Sequence, residues 1–107
     1  MSRSRMHLLG AIDAIYWAVV DSAHAALIAA KQVPPSPEHV YSMLNEVFVK
    51  KSMLNSKYAD WYKEIYAVAH HISHGEMTKI SGKFIEMYQE RADRFIGEMA
   101  NLVKKLE

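Results

Sequence analysis

The chain has 107 residues, half of them apolar and 23% charged, with a formal net charge of +1 at pH 7 and no cysteine. This length predicts a single domain with a modest core, and the charge balance gives no strong basic footprint for nucleic acid. The lack of cysteine excludes disulfide scaffolds, thiol nucleophiles and cysteine-based zinc sites, and it favours a cytoplasmic protein. The longest apolar run, residues 14–20, is far shorter than a membrane span, so we expect no membrane association.

The first predicted helix runs from about Leu8 to Lys31, after a short basic start, residues 1–7, that we expect to be a disordered tail. Its apolar residues recur at spacings of three and four and form one broad stripe, which consists of Ile12, Ile15, Tyr16, Val19, Val20, Ala23 and Leu27. Many of the remaining positions are alanine. Because alanine is small, a neighbouring helix can approach this one closely.

The three prolines stand together at positions 34, 35 and 37 and mark the one clear break in the helical pattern. Ser36 is a suitable N-cap, and Pro37 suits the first helical position because its missing N–H is not needed there. The second helix is therefore predicted to begin at Pro37. Its apolar stripe fades around residues 50–53.

Two further helices are predicted, over about residues 57–74 and 78–106. Asn55 and Ser56 can cap the first of them, and Gly75 can end it. No sustained alternation of apolar and polar residues predicts a strand. The sequence thus predicts an all-α fold, an antiparallel four-helix bundle, whose wide apolar faces and seven methionines favour a homodimer.

The densest group of chemically versatile side chains is His70, His71 and His74, which lie within five residues. His70 and His74 are four apart and share a face of the predicted helix. Histidine titrates near neutrality, binds metals and transfers protons. Three interpretations stay open: side chains that cap the helix end, a site that contacts nucleotide or phosphate, and half of a metal site. A metal would need more ligands from elsewhere, so we assign no metal and no cofactor.

Other candidates accompany this cluster. Tyr66 lies one helical turn before His70 and is the best placed of its aromatic neighbours to bind a ligand. Asp21 and His24 are three apart in a mostly apolar helix. They form either a hydrogen-bonded structural pair or a functional pair that faces the histidine cluster.

Three stretches of the chain carry a family resemblance when taken in order. Residues 14–27 combine paired aromatic residues with a His-Ala-Ala segment, residues 37–54 contain a Phe-Val-Lys phrase, and residues 70–76 hold the histidine cluster. In this order and spacing they resemble the HEPN domains (higher eukaryotes and prokaryotes nucleotide-binding), over about residues 10–81. The resemblance implies a helical accessory or interaction module in nucleotide or RNA handling. It also implies a homodimer, with a nucleotidyltransferase as protein partner in a toxin–antitoxin-like setting.

Ribonucleases of the HEPN family use an arginine followed, after four to six residues, by a histidine, and two such motifs meet across a dimer interface without a metal. His74 matches the histidine, but positions 67, 68 and 69 hold Ala, Val and Ala. The resemblance therefore implies a module without the ribonuclease motif. Together with the spacing arguments above, this gives His71, Tyr66, His24 and Asp21 as the candidate ligand or nucleotide contacts. The alternative is a ribonuclease with a drifted motif, whose catalytic residues are His74 as acid–base group and His70 in place of the arginine.

Overall fold

The structure is a computed structural model, which describes the backbone of residues 3–73 and 81–107 and the side chains of residues 9–71 and 81–107. Within these ranges every regular element is a helix. The elements are α1 (Arg3–Ala29), a 3-10 turn (Pro37–His39) that leads into α2 (Val40–Leu44) and a π-helical turn (Asn45–Val49), then α3 (Ser56–Ser73) and α4 (Gly82–Leu106). The all-α prediction is confirmed, and the chain forms a bundle of four helices.

The bounds of the helices differ from the predicted ones by a few residues. α1 begins at Arg3 rather than Leu8, so the expected tail is helical from Arg3 onwards. Asn55 caps α3 as predicted, since its side-chain oxygen accepts a hydrogen bond from the backbone N–H of Lys57 at 2.9 Å. Ser81 caps α4 in the same way. The predicted stop at Gly75 lies outside the described residues.

α1 ends in a Schellman motif, in which two backbone N–H groups reach back into the last turn. The N–H of Gln32 donates to the carbonyl of Leu27 at 2.9 Å, and the N–H of Lys31 donates to that of Ile28 at 2.8 Å. This pattern places Lys31 in the left-handed region, with a φ of 62°. Glycine usually occupies such a position because a Cβ is crowded there. Ser52, with a φ of 58°, ends the second helical segment likewise.

α3 runs in the direction opposite to α4. Its Tyr62 ring packs against Phe95, with ring centroids 6.1 Å apart. One and a half turns later in α3, Val68 borders the same small apolar gap as Tyr88, which comes earlier in α4. As residue numbers rise along α3, those of its neighbours in α4 therefore fall.

α3 is also antiparallel to α1. The rings of Tyr66 and Tyr16 have centroids 6.2 Å apart, and His70, one turn later, borders the same cleft as the earlier Asp13. α1 and α4 therefore run in the same direction, and α1 makes its most extensive contact with α4.

The segment between α1 and α2 runs back along α1. His24 contacts the carbonyl of Pro35, and Pro37 borders the same cleft as Tyr16, which is two turns before His24. Tyr62 of α3 contacts Pro37, and the earlier Asp60 contacts the later Tyr41, so α2 runs against α3 and in the same direction as α1. The expectation of an antiparallel bundle is thus met only by α3, since α1, α2 and α4 share a direction.

The core lies between α1, the second helical segment, α3 and α4, and the predicted apolar stripe of α1 faces it. All of that stripe is buried except Tyr16, which is partly exposed. Ala23 and Ala26 are completely buried, and Ala92 is 1% exposed. Small buried side chains such as these allow neighbouring helices to approach closely.

Among the described helices, the segment Leu9–Ala29 of α1 is long and apolar enough to cross a membrane by length and composition, with a mean hydropathy of 1.3. The uninterrupted apolar run of residues 14–20 is shorter than this segment because Asp13 and Asp21 flank it. The segment as a whole is nevertheless apolar on average. The core helix of a bundle passes the same test, and Val19 and Leu27 of this segment are completely buried.

We expect Lys31→Gly to raise the free energy of unfolding by about 1 kcal/mol, because glycine adopts the left-handed conformation without the Cβ clash. Chemical denaturation followed by circular dichroism measures this. Ala25→Gly, at an exposed position inside α1, is the matched control and should lower the same free energy by about 1 kcal/mol. A Lys31→Gly protein less stable than the parent would contradict the assigned helix end.

Candidate functional site

A cleft of about 280 Å³ opens between the first half of α1, the start of the second helical segment and the last turns of α3. We call it the α1–α3 cleft. Its lining residues are Asp13, Tyr16, Trp17, Pro37, Glu38, Tyr66, Ala69 and His70. The cleft thus joins two residues predicted from the sequence, Tyr66 and His70, with chemical groups that the sequence analysis did not single out.

One wall of the cleft is a row of four rings. Tyr16 and Trp17 meet edge to face, with centroids 5.0 Å apart, and Tyr16 lies 6.2 Å from Tyr66. Tyr66 in turn stacks on His70, with centroids 5.8 Å apart and ring planes 14° from parallel. Trp17 ends the row and is 49% exposed. The row therefore offers open aromatic surface to a flat or cationic group.

The other feature of the cleft is negative charge, supplied by Asp13 and Glu38. The backbone N–H of Glu38 and the hydroxyl of Ser36, which donates at 2.9 Å, lower the pKa of the Glu38 carboxyl. Glu38 is therefore ionised at neutral pH. Burial raises the pKa of Tyr16, and the neighbouring Tyr66, Glu38 and Asp13 raise it further, so the Tyr16 hydroxyl stays neutral there.

Residues 33–37, which we call the proline strap, are held in place by two hydrogen bonds. His24 Nε2 lies 2.9 Å from the carbonyl oxygen of Pro35. Because a carbonyl only accepts, Nε2 carries the hydrogen in this contact. The hydroxyl of Tyr62 donates to the carbonyl of Pro37 at 2.7 Å from the other side. The two bonds fix the strap between α1 and α3 and thereby position Glu38 at the cleft.

The remaining predicted site residues lie apart from the cleft lining. His24 is half-buried, and its hydrogen bond goes to Pro35 rather than to Asp21, which is exposed. The expectation of an Asp21–His24 pair is therefore replaced by a link to the strap. His71 is exposed, with its ring 6.5 Å from that of His70, and does not line the cleft. His74 lies outside the described residues.

Several residues of the cleft carried only a weak signal in the sequence. Asp13 and Trp17 are four apart and sit beside the buried stripe of α1, which marks them as neighbours on one helix face. Glu38 has no such signal, because only the course of the strap brings it to α1. Among the described residues, no three potential metal ligands come together.

No protein-family model matches the chain, and comparisons with curated proteins and with solved structures give no significant match either. The fold and the site therefore define the class of protein by themselves: an all-helical bundle with an aromatic, acidic cleft. The HEPN resemblance stays a prediction.

We expect Tyr62→Phe to lower the free energy of unfolding by about 1 kcal/mol at pH 7, because it removes the hydrogen bond to Pro37. Burial raises the pKa of Tyr62. Above about pH 10 an unfolded tyrosine ionises while folded Tyr62 stays neutral, so the parent should lose stability as the pH rises. The loss should be smaller in Tyr62→Phe, though not absent, since burial also raises the pKa values of Tyr16 and Tyr88.

Denaturation midpoints between pH 7 and pH 11 measure both effects. Tyr58→Phe, which changes a partly exposed tyrosine of the same helix, is the matched control. An equally steep loss of stability in Tyr62→Phe and in the parent would contradict the assigned environment of Tyr62.

Proposed function

We propose that this protein is a HEPN-like accessory module that acts by binding rather than by catalysis, within an assembly that handles nucleotides or RNA. The chemistry of the α1–α3 cleft is the observation that carries the proposal. RNA is held, and charge on a reacting phosphate is stabilised, by cationic side chains. The described lining includes neither lysine nor arginine, and its carboxylates, Asp13 and Glu38, repel phosphate.

The positions at which the resemblance would place a catalytic arginine support the same proposal. They hold Ala67, Val68 and Ala69, all partly buried. Val68 borders the apolar gap between α1, α3 and α4, and Ala69 lines the cleft. None of these side chains can carry charge, so the described part of α3 offers no arginine to a phosphate before His70.

We also propose that the module is a cytoplasmic homodimer. Its protein partner would be a nucleotidyltransferase in a toxin–antitoxin-like system. The partner and the setting rest on the resemblance. The homodimer is supported by the outer face of α1 beyond the cleft, where Ile28 is 57% exposed. Ala25, three residues before it, is also exposed. A large apolar group beside a small one favours close packing of a second helix.

The purified protein should not cleave labelled RNA between pH 5 and pH 9, with or without a chelator, because the described lining of its cleft holds no arginine or lysine to stabilise charge on the phosphate. Gel analysis of the RNA against a buffer control measures this. His74→Ala is the control variant. Cleavage by the parent that disappears in His74→Ala, with an unchanged circular dichroism spectrum, would overturn the proposal in favour of a ribonuclease that uses His74 and His70.

Light scattering at high micromolar concentration should show a dimer, and Ile28→Asp should weaken it at least about tenfold, because a charge would be buried in the interface. Val33→Asp is the matched control, since Val33 is 85% exposed but lies on the strap. A parent protein that stays monomeric under these conditions would rule out the homodimer.

A further inference from the structure

We propose that the α1–α3 cleft binds a guanidinium group, carried by an arginine side chain of a partner protein. The inference rests on the proposed function as a binding module and specifies what that module recognises. Three observations support it: the aromatic rings in the cleft, the two carboxylates beside them, and an arginine elsewhere in this chain that contacts a tryptophan and a carboxylate.

The rings supply the surface on which a guanidinium packs. Tyr16, Trp17 and Tyr66 present electron-rich faces, and a planar cation is attracted to such faces. A guanidinium, being flat and weakly hydrated, stacks on aromatic rings better than an ammonium does. Trp17 is 49% exposed in the free protein, so a ligand that covers it removes apolar surface from water.

The carboxylates supply the acceptors that a guanidinium needs. Asp13 comes from α1 and Glu38 from the turn after the proline strap, and both line the cleft. A carboxylate only accepts hydrogen bonds, and a guanidinium only donates them. The hydroxyl of Ser36 holds one oxygen of Glu38 at 2.9 Å and so restricts the orientation of that side chain.

Elsewhere in this chain, an arginine binds to the same kinds of groups: Arg91 contacts both a tryptophan ring and a carboxylate. Its guanidinium carbon lies 5.6 Å from the centroid of the Trp61 ring, while its Nη1 atom forms an ion pair with Glu64. In the cleft, Trp17 and the carboxylates are present, but the described lining contains no arginine or lysine. Among the described residues, the arrangement at the cleft therefore lacks only the cation, and we assign that place to an arginine of a partner protein.

The charge of the cleft favours an arginine side chain over a nucleotide. A nucleotide would bring phosphates towards Asp13 and Glu38, which both line the cleft. An arginine side chain brings a flat cation on a slender apolar stem, which complements both the rings and the charges.

The test is a titration of the purified full chain with N-acetyl-arginine amide, followed through the indole N–H signal of Trp17 in nuclear magnetic resonance spectra. The neutral isostere N-acetyl-citrulline amide and the nucleotide AMP are the comparison ligands. We expect a saturable shift with the arginine compound, binding at least about tenfold weaker with the citrulline compound, and weaker arginine binding in 0.5 M than in 0.05 M salt, as a charge-dependent contact requires.

Asp13→Asn and Glu38→Gln should each weaken arginine binding by about three- to tenfold, because each removes one acceptor charge. Asp21→Asn is the matched control, since Asp21 is an exposed aspartate on the same helix that does not line the cleft. A glycine-flanked arginine peptide should bind at least as tightly as the amide. If the amide binds and the peptide does not, the ligand is a small molecule, and the proposal that a partner protein supplies the arginine is wrong.

Equal binding of the arginine and citrulline compounds would overturn the proposal, because stacking alone would then explain it. Tighter saturation by AMP would also overturn it and would assign the cleft to a nucleobase, while the role as a binding module would remain. Lack of saturable binding by all probes would likewise overturn it. Failure of the proposed function itself would appear separately, as RNA cleavage that depends on His74.

Discussion

The backward course of the proline strap along α1 is the constraint on which the site depends. Lys31 turns the chain out of α1 in a left-handed conformation, and the prolines that follow cannot rebuild a helix. Two side chains then form hydrogen bonds to carbonyl oxygens of the strap: His24 from α1 and Tyr62 from α3. Since the strap has already returned along α1, the next helix starts beside the first half of α1. That start places Glu38 at the cleft, and without it the aromatic wall would have only one carboxylate beside it.

The strap also decides how the bundle is packed. After it, α2 runs parallel to α1, and α3 then runs against α1, α2 and α4. α1 and α4 share a direction, and α1 makes its most extensive contact with α4. The molecule extends 45 Å along its longest axis, close to the roughly 40 Å length of a 27-residue helix such as α1. The opposite face of α1, which carries Trp17, is left to the solvent.

The electrostatics of the cleft and the histidine cluster favour different chemistries. Histidines four residues apart suggest acid–base or metal chemistry. His70, the described one that lines the cleft, stacks on Tyr66, and two carboxylates line the same cleft. Phosphoryl chemistry needs positive charge where the phosphate lies. Binding of a cation needs the reverse, together with electron-rich rings. The arrangement around Asp13 and Glu38 meets the second requirement, which is why we propose a role in recognition.

The sequence by itself determined the helices, because helix formation and capping depend on residues only a few positions apart. The apolar stripe of α1 and the Asn55 cap of α3 were predictable for this reason. Only the tertiary structure decided the directions of the helices and which residues line the cleft. The strap is held by hydrogen bonds between residues 11 and 25 positions apart, and no local periodicity encodes partners at such distances. Glu38 therefore carries no local sign of a site, because only the fold brings it to the same cleft as Asp13.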